Sequence, residues 1–197
     1  MPASGCPWSP VVSIAAHYRS RARLTTTMLR RTVAAFDNWT VAPMTLDELK
    51  SHLLADIPLA RAMALDLAGW DGRTFVVTAP LEPNRNDKGC AFGGSLASLM
   101  TLAGWGASVL RLGERAEGAE VYVQDSHIRY LAPVWQDIVI HAFSDDEAPE
   151  AFAAAYLDRG RARTHVQAEC RLVDGTVAAS LSARFVAIDP KRPRPAS

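Results

Sequence analysis

The stretch from Ser95 to Leu110, in the middle of the chain, contains no charged side chain. A helix over these residues would have no polar face. In a soluble protein such a helix must be buried on all sides, so the sequence predicts a long central helix enclosed by other elements. Small residues that permit close packing recur along it: Ala97, Ser98, Ala103, Gly104, Gly106, Ala107 and Ser108.

Counted from Cys90, this uncharged stretch runs for 21 residues, which is long enough to span a membrane. Its four glycines and its hydroxyl residues lower the hydropathy, however, and strand-like segments flank it. A helix buried in a soluble domain explains this pattern better, so we expect no membrane association.

The composition narrows the functional classes further. The 21 basic and 21 acidic residues balance, and no basic patch suggests nucleic-acid binding. The three cysteines are far apart and show neither a metal-ligand spacing nor a disulfide framework. We therefore expect a cytoplasmic protein that binds no metal.

The segments around the predicted helix alternate with a period of two, as half-buried strands do. The clearest, Arg161–Val173, alternates strictly, and Asp71-Gly72 and Asp174-Gly175 are typical hairpin turns. Ahead of the first hairpin, a strand is predicted at Ala62–Ala68. The order is a helix, two strands, the long helix and four strands, which predicts an α+β fold with one antiparallel sheet wrapped around the central helix.

The two ends of the chain differ from this pattern. Residues 1–43 contain several arginines, only one acidic residue and no sustained apolar period, so we interpret them as a disordered extension or as the product of a start codon placed too early. Residues 190–197 are basic and rich in proline. The folded domain is predicted over residues 44–189.

A polar turn leads into the central helix. Asn86 and Lys88 belong to this turn, and Gly93-Gly94 follows as the predicted helix start. Backbone N–H groups at a helix N-terminus have no intrahelical partner, and the helix dipole is positive there. Such a site suits a carbonyl oxygen that becomes negative during a reaction. Asn86 is the candidate to orient the carbonyl or a water molecule, with an Asx turn as the structural alternative.

Asp125 and His127 are two residues apart on the strand predicted at Glu120–Leu131, so they share a face. By parity, Val121 and Val123 lie on that face as well. A histidine oriented by a carboxylate is suited to proton transfer near neutral pH. Asp125 and His127 are therefore the candidate pair for activating water, with a structural role at a dimer interface as the alternative.

Two sequence blocks carry a resemblance to a known family. They run from Pro83 to Ser98 and from Gln124 to Leu131, and they resemble the thioesterase domain of the YiiD C-terminal type, which has the hotdog fold. The spacing of Asn86, Gly89 and Gly93-Gly94 is also similar to that of many hotdog thioesterases, with Phe92 in place of a histidine. The block Tyr-Leu-x-Pro at Tyr130–Pro133 is typical of their third strand.

The resemblance implies hydrolysis of an acyl thioester that carries coenzyme A or an acyl carrier protein. Coenzyme A or phosphopantetheine would then be part of the substrate, with no separate cofactor, and the site would form in a homodimer or a higher homo-oligomer. Many such enzymes have an acid two helical turns after the glycine pair, but this chain has Thr101 there. Two alternatives stay open: a hotdog hydratase or dehydratase, and a binding domain without activity. The expected catalytic residues are Asn86, Gly93, Asp125 and His127, and the expected substrate-binding residues are Lys88, Gly94, Ser95 and Thr101.

Overall fold

The computed structural model describes residues 45–113, 116, 118–144, 148 and 150–192. The predicted extension, residues 1–43, lies outside these ranges, and so do residues 193–197 of the predicted tail. The domain limits proposed from the sequence stay predictions.

The described chain begins with a capped helix, α1 (Leu46–Asp56). The Thr45 hydroxyl accepts a hydrogen bond from the Glu48 N–H at 3.2 Å, and the Glu48 carboxylate accepts one from the Thr45 N–H at 2.7 Å. This capping box satisfies two backbone donors that would otherwise lack partners, as the sequence predicted.

A second short helix, α2 (Pro58–Ala62), follows, and the first strand, β1 (Asp66–Trp70), begins only after it. The strand predicted at Ala62–Ala68 was therefore placed too early. Pro58 suits the first turn of a helix, so it ends α1 and also starts α2. Ala64, with φ at 52°, makes the left-handed turn that leads into the strand.

Six strands form one antiparallel sheet in the order β1-β2-β4-β5-β6-β3. The predicted hairpins at residues 71–72 and 174–175 join β1 to β2 and β5 to β6. Among the described strands, β3 pairs only with β6, so it is an edge strand. The strands after β1 are β2 (Thr74–Ala79), β3 (Glu120–Tyr130), β4 (Ile138–Phe143), β5 (Arg161–Arg171) and β6 (Val177–Ile188).

The central helix, α3 (Gly93–Leu112), lies across one face of this sheet and contacts five of its strands. We call this the inner face, and the opposite one the outer face. Close packing depends on glycine here: a Cβ at Gly106 would lie 2.5 Å from the Phe75 ring, and one at Gly104 would lie 2.8 Å from Phe185. A shorter helix, α4 (Ala151–Arg159), packs beside the far end of α3 through Phe152 and Tyr156.

The expectation that α3 is buried on all sides is wrong for the single chain. The sheet covers only one side of the helix, so a stripe on the other side stays partly exposed. The stripe has helical spacing and consists of Ala97, Ser98, Thr101, Leu102 and Trp105. Within the described residues, no helix is long and apolar enough to cross a membrane.

Candidate active site

The N-terminus of α3 presents unpaired backbone donors. Its N-cap residue is Phe92, whose side chain cannot accept a hydrogen bond, and the helix has no side-chain cap. The first turn leaves the N–H groups of Gly93, Gly94 and Ser95 without an intrahelical partner. They also make no hydrogen bond to another described residue. Three donors and the positive end of a 20-residue helix therefore lie together at one place.

The loop before α3 is held rigidly by the buried side chain of Asn84. Its amide nitrogen donates to the carbonyl oxygens of Met63 and Pro80, both at 2.8 Å. The Asn84 carbonyl in turn accepts the Phe92 N–H at 2.7 Å, and the Ala91 N–H donates to the Val134 oxygen at 2.8 Å. These bonds fix where α3 begins and which way its free N–H groups point.

Asn86 takes part in the turn itself. Its side-chain oxygen accepts the Lys88 N–H at 2.9 Å, and its side-chain nitrogen lies 3.3 Å from the Cys90 sulfur. The Asx turn weighed as the alternative for Asn86 is thus present. Lys88, expected to bind substrate, places its ammonium group 3.0 Å from the Asp87 carboxylate, and this hydrogen bond lowers the pKa of Asp87.

An open cavity of about 370 Å³ lies beside the start of α3. Tyr130, at the end of β3, forms one wall, and its hydroxyl donates to the Gly93 carbonyl at 3.0 Å. This bond connects the edge strand to the first turn of the helix. The cavity is lined by Ala91, Gly93, Leu96, Tyr130, Leu131, Ala132, Pro133 and Val134.

The remaining helix candidates lie near this cavity in the chain but do not line it. Gly94 is exposed, and a side chain there would collide with the Phe92 ring. Ser95 is half-buried. The Thr101 hydroxyl donates to the Ala97 carbonyl at 2.8 Å, which is the back-bonding weighed as the alternative to a catalytic role.

Asp125 and His127 do lie on one face of β3, but the expectation that they share it with Val121 and Val123 is wrong. The pairing with β6 shifts by one residue at Gln124, since Val123 pairs with Phe185 and Asp125 with Arg184. Such a β-bulge reverses the faces of all later side chains.

The bulge places Asp125 and His127 on the outer face, opposite α3. Asp125 accepts a hydrogen bond from the Nε–H of Arg184 at 2.9 Å and forms an ion pair with its Nη2 at 2.7 Å, and both side chains are about half exposed. His127 pairs in register with Ser182, whose hydroxyl lies 3.0 Å from His165. The inner-face residues after the bulge are instead Ser126, Ile128 and Tyr130. Within one chain, the predicted acid–base pair and the α3 N-terminus therefore lie on opposite sides of the sheet.

Sequence reasoning missed two residues that build this site, Asn84 and Tyr130. Both belong to the blocks that carried the family resemblance, which was the available signal. Neither stood out by residue type, because an asparagine in a polar turn and a tyrosine in a strand are both common.

A six-stranded antiparallel sheet around one central helix, with an open glycine-rich helix start at the inner face, defines a hotdog-fold protein of the thioesterase type. Residues 46–189 match the model of the family described as "Putative thioesterase (yiiD_Cterm)". The chain belongs to this family.

Similar solved structures agree with this assignment. A protein of unknown function from Chlorobaculum tepidum is 27% identical, with 77% of this chain and 99% of that chain covered, at a TM-score of 0.68. A "putative thioesterase" from Shewanella oneidensis is 28% identical, with 73% and 96% covered, at a TM-score of 0.65. A thioesterase from Haemophilus influenzae, 16% identical with 80% and 100% covered, has the same fold at a TM-score of 0.60.

Proposed function

We propose that this protein hydrolyses acyl thioesters at the N-terminus of α3. The observation that carries the proposal is the group of three free N–H donors at Gly93, Gly94 and Ser95, which open beside the cavity. Donors fixed in advance stabilise the negative charge that develops on the carbonyl oxygen when water attacks. The attack breaks the carbon–sulfur bond and releases the acyl group as a carboxylic acid and the carrier as a thiol.

This mechanism also requires a residue that activates the attacking water. Of the eight residues lining the cavity, only Tyr130 has a titratable side chain. Asp125 and His127 stay a prediction for this role. Their position on the outer face argues against it, and a second copy paired along β3 would extend the sheet without moving them to the inner face.

The same observation favours one alternative function, an acyl-thioester-binding domain without activity. The described cavity has the Gly93 N–H to bind a carbonyl, but no carboxylate or imidazole lines it. Binding without hydrolysis needs only a hydrogen-bond donor for the carbonyl.

The proposal is tested by measuring the free thiol that the purified protein releases from thioester substrates. The assay uses a panel of acyl-CoA and acyl-pantetheine esters, and turnover on one class above the uncatalysed rate is expected. Protein that is folded and binds a thioester analogue, but releases no thiol from any ester, would contradict hydrolysis and favour the binding function.

We also propose that the working form is a homodimer joined along β3. Within the part of the chain that the structure describes, this 11-residue strand has one unpaired edge, and four of the large exposed hydrophobic side chains lie on it or directly after it. An exposed edge of this kind is a ready template for a second strand. The partly exposed stripe of α3 lies above the inner face, to which Val123 and Tyr130 belong. The four side chains are Tyr122, Val123, Tyr130 and Leu131.

Light scattering coupled to size-exclusion chromatography measures the mass in solution. We expect twice the chain mass for the wild type and one chain mass for Val123→Asp, because the substitution places a charge in the proposed contact. Val173→Asp, at a valine that is 91% exposed in a turn, is the control and should leave the mass unchanged. A monomeric wild-type protein would contradict the dimer.

A further inference from the structure

The cavity beside Gly93 has an unusually uniform lining. Seven of its eight residues have apolar side chains or none, and the eighth is Tyr130. Its volume of about 370 Å³ is near the lower end of the range for small-molecule sites, about 300–1,000 Å³. Leu96 and Val134, which are 3% and 1% exposed, connect it to the hydrophobic core.

Several of the hydrogen-bond donors in this lining are already bonded within the chain, and the free Gly93 N–H is the donor assigned to the carbonyl. The Tyr130 hydroxyl already donates to the Gly93 carbonyl. The Ala91 N–H is bonded to Val134, and the Leu131 and Ala132 N–H groups are both bonded to the Ala178 carbonyl. Pro133 has no N–H. A polar group that entered this cavity would lose water and gain few partners, which is unfavourable.

This chemistry decides which half of a thioester enters. The carbonyl held at the Gly93 N–H continues into the acyl chain on one side and into the sulfur and pantetheine arm on the other. The arm carries two amides, which need partners when buried, whereas an alkyl or aryl chain needs none. We propose that the acyl group occupies the cavity and that the site selects uncharged, apolar acyl groups of short to medium length. This inference rests on the proposed binding of a thioester at α3.

Charge strengthens the selection against acyl groups that end in a carboxylate. The two cations of the preceding loop are both paired, Arg85 with Glu82 at 3.1 Å and Lys88 with Asp87 at 3.0 Å, and neither lines the cavity. A carboxylate at the far end of the acyl chain would therefore lose part of its hydration without gaining a counter-ion among the described residues.

A chain-length profile tests the assignment. Wild-type kcat/KM is measured for butyryl-, octanoyl- and succinyl-CoA, and so is that of Ala132→Leu, which fills part of the cavity. We expect octanoyl-CoA to lose at least about tenfold in the variant, butyryl-CoA to lose less than about threefold, and succinyl-CoA to be the poorest wild-type substrate. Ala68→Leu, at an exposed alanine on the opposite edge strand, is the matched control and should change no value.

Two results would overturn the inference. An equal loss at every chain length would mean that the cavity holds the pantetheine arm, which all three substrates share. Succinyl-CoA turned over as well as octanoyl-CoA would exclude selection against charge.

Binding separates this inference from hydrolysis. Calorimetry with non-hydrolysable thioether analogues of octanoyl- and succinyl-CoA measures affinity whether or not turnover occurs. Tight octanoyl binding that Ala132→Leu weakens supports the acyl cavity even if no thiol is released. Equal affinity for the two analogues overturns it even if the enzyme is active.

Discussion

The two faces of β3 differ in the kind of chemistry they offer. The outer face has ionisable groups: Asp125 and Arg184, which are both about half exposed, and His127, which is also exposed. The inner face has Ile128 and Tyr130, and at its end lie the unpaired N–H groups of α3. The charged side chains that attract notice in the sequence are thus separated from the candidate site by the thickness of the sheet. The comparison teaches that backbone donors and uncharged walls can build a site that residue types do not reveal.

The largest effect is expected when one of the backbone N–H donors beside the inner face is removed. Gly93→Pro deletes the N–H at the first helical position, which proline tolerates. The preceding residue, Phe92, already has φ −70° and ψ 132°, as a residue before proline requires. We expect kcat to fall by about 10²–10³, the usual effect of losing one oxyanion donor.

Gly93→Ala is the control, because it keeps the N–H and its Cβ would lie at an ordinary 3.5 Å from the Tyr130 ring. Its kcat should stay close to that of the wild type. Equal activity of the proline and alanine variants would exclude the Gly93 N–H as the donor.

The packing of α3 on the inner face is tested by Gly106→Ala. The new Cβ would meet the buried Phe75 ring at 2.5 Å, and overpacking of this kind costs about 1–3 kcal/mol. The gain in helix propensity offsets about 1 kcal/mol of this. We expect a net loss of up to about 2 kcal/mol in the free energy of unfolding, measured by urea denaturation. Gly69→Ala, where the new atom meets nothing within 4 Å, should change stability by less than about 0.5 kcal/mol.

The link between β3 and α3 is tested by Tyr130→Phe, which removes the hydroxyl bond to Gly93 and keeps the ring. A net hydrogen bond contributes about 0.5–1.5 kcal/mol, so kcat should fall by about tenfold or less, with KM nearly unchanged. Tyr122→Phe is matched in strand and in exposure, 51% against 54%, but its hydroxyl bonds Glu120. If both variants lose activity equally, the Tyr130 hydroxyl does not position the helix start.

The smallest effect is expected on the outer face. Asp125→Asn weakens an exposed ion pair that contributes about 0–1 kcal/mol to stability. Because neither residue faces the helix, Asp125→Asn and His127→Gln should each leave kcat within about threefold of the wild type. A loss of several orders of magnitude in folded protein would instead support the acid–base pair predicted from the sequence, and would place the reaction on the outer face.

Much of the fold was predictable from local patterns. The capping box at Thr45, the two Asp-Gly hairpins and the uncharged central helix each depend on residues close together in the chain, and the structure confirms them. The helix α2 was missed because a short apolar run with alanines has no period long enough to distinguish a helix from a strand.

The candidate site was predictable only in part. The start of α3 at Gly93-Gly94 was predicted, because a glycine pair before an apolar run can be recognised from the sequence alone. The role of Tyr130 was not, since Tyr130 and Gly93 are 37 residues apart and meet only after β3 pairs with β6. The prediction that Asp125 shares a face with Val121 and Val123 failed because side chains alternate regularly only along a strand without a bulge.

The sequence by itself therefore determined the central helix, its open N-terminus and the family to which the chain belongs, since these depend on composition and spacing along the chain. Only the tertiary structure decided which side chains face that N-terminus. The physical reason is the bulge at Gln124, which places one extra residue in β3 against β6 and moves Asp125 and His127 to the outer face and Tyr130 to the inner face. Strand pairing is a contact between distant segments, and it overrides the local period of two.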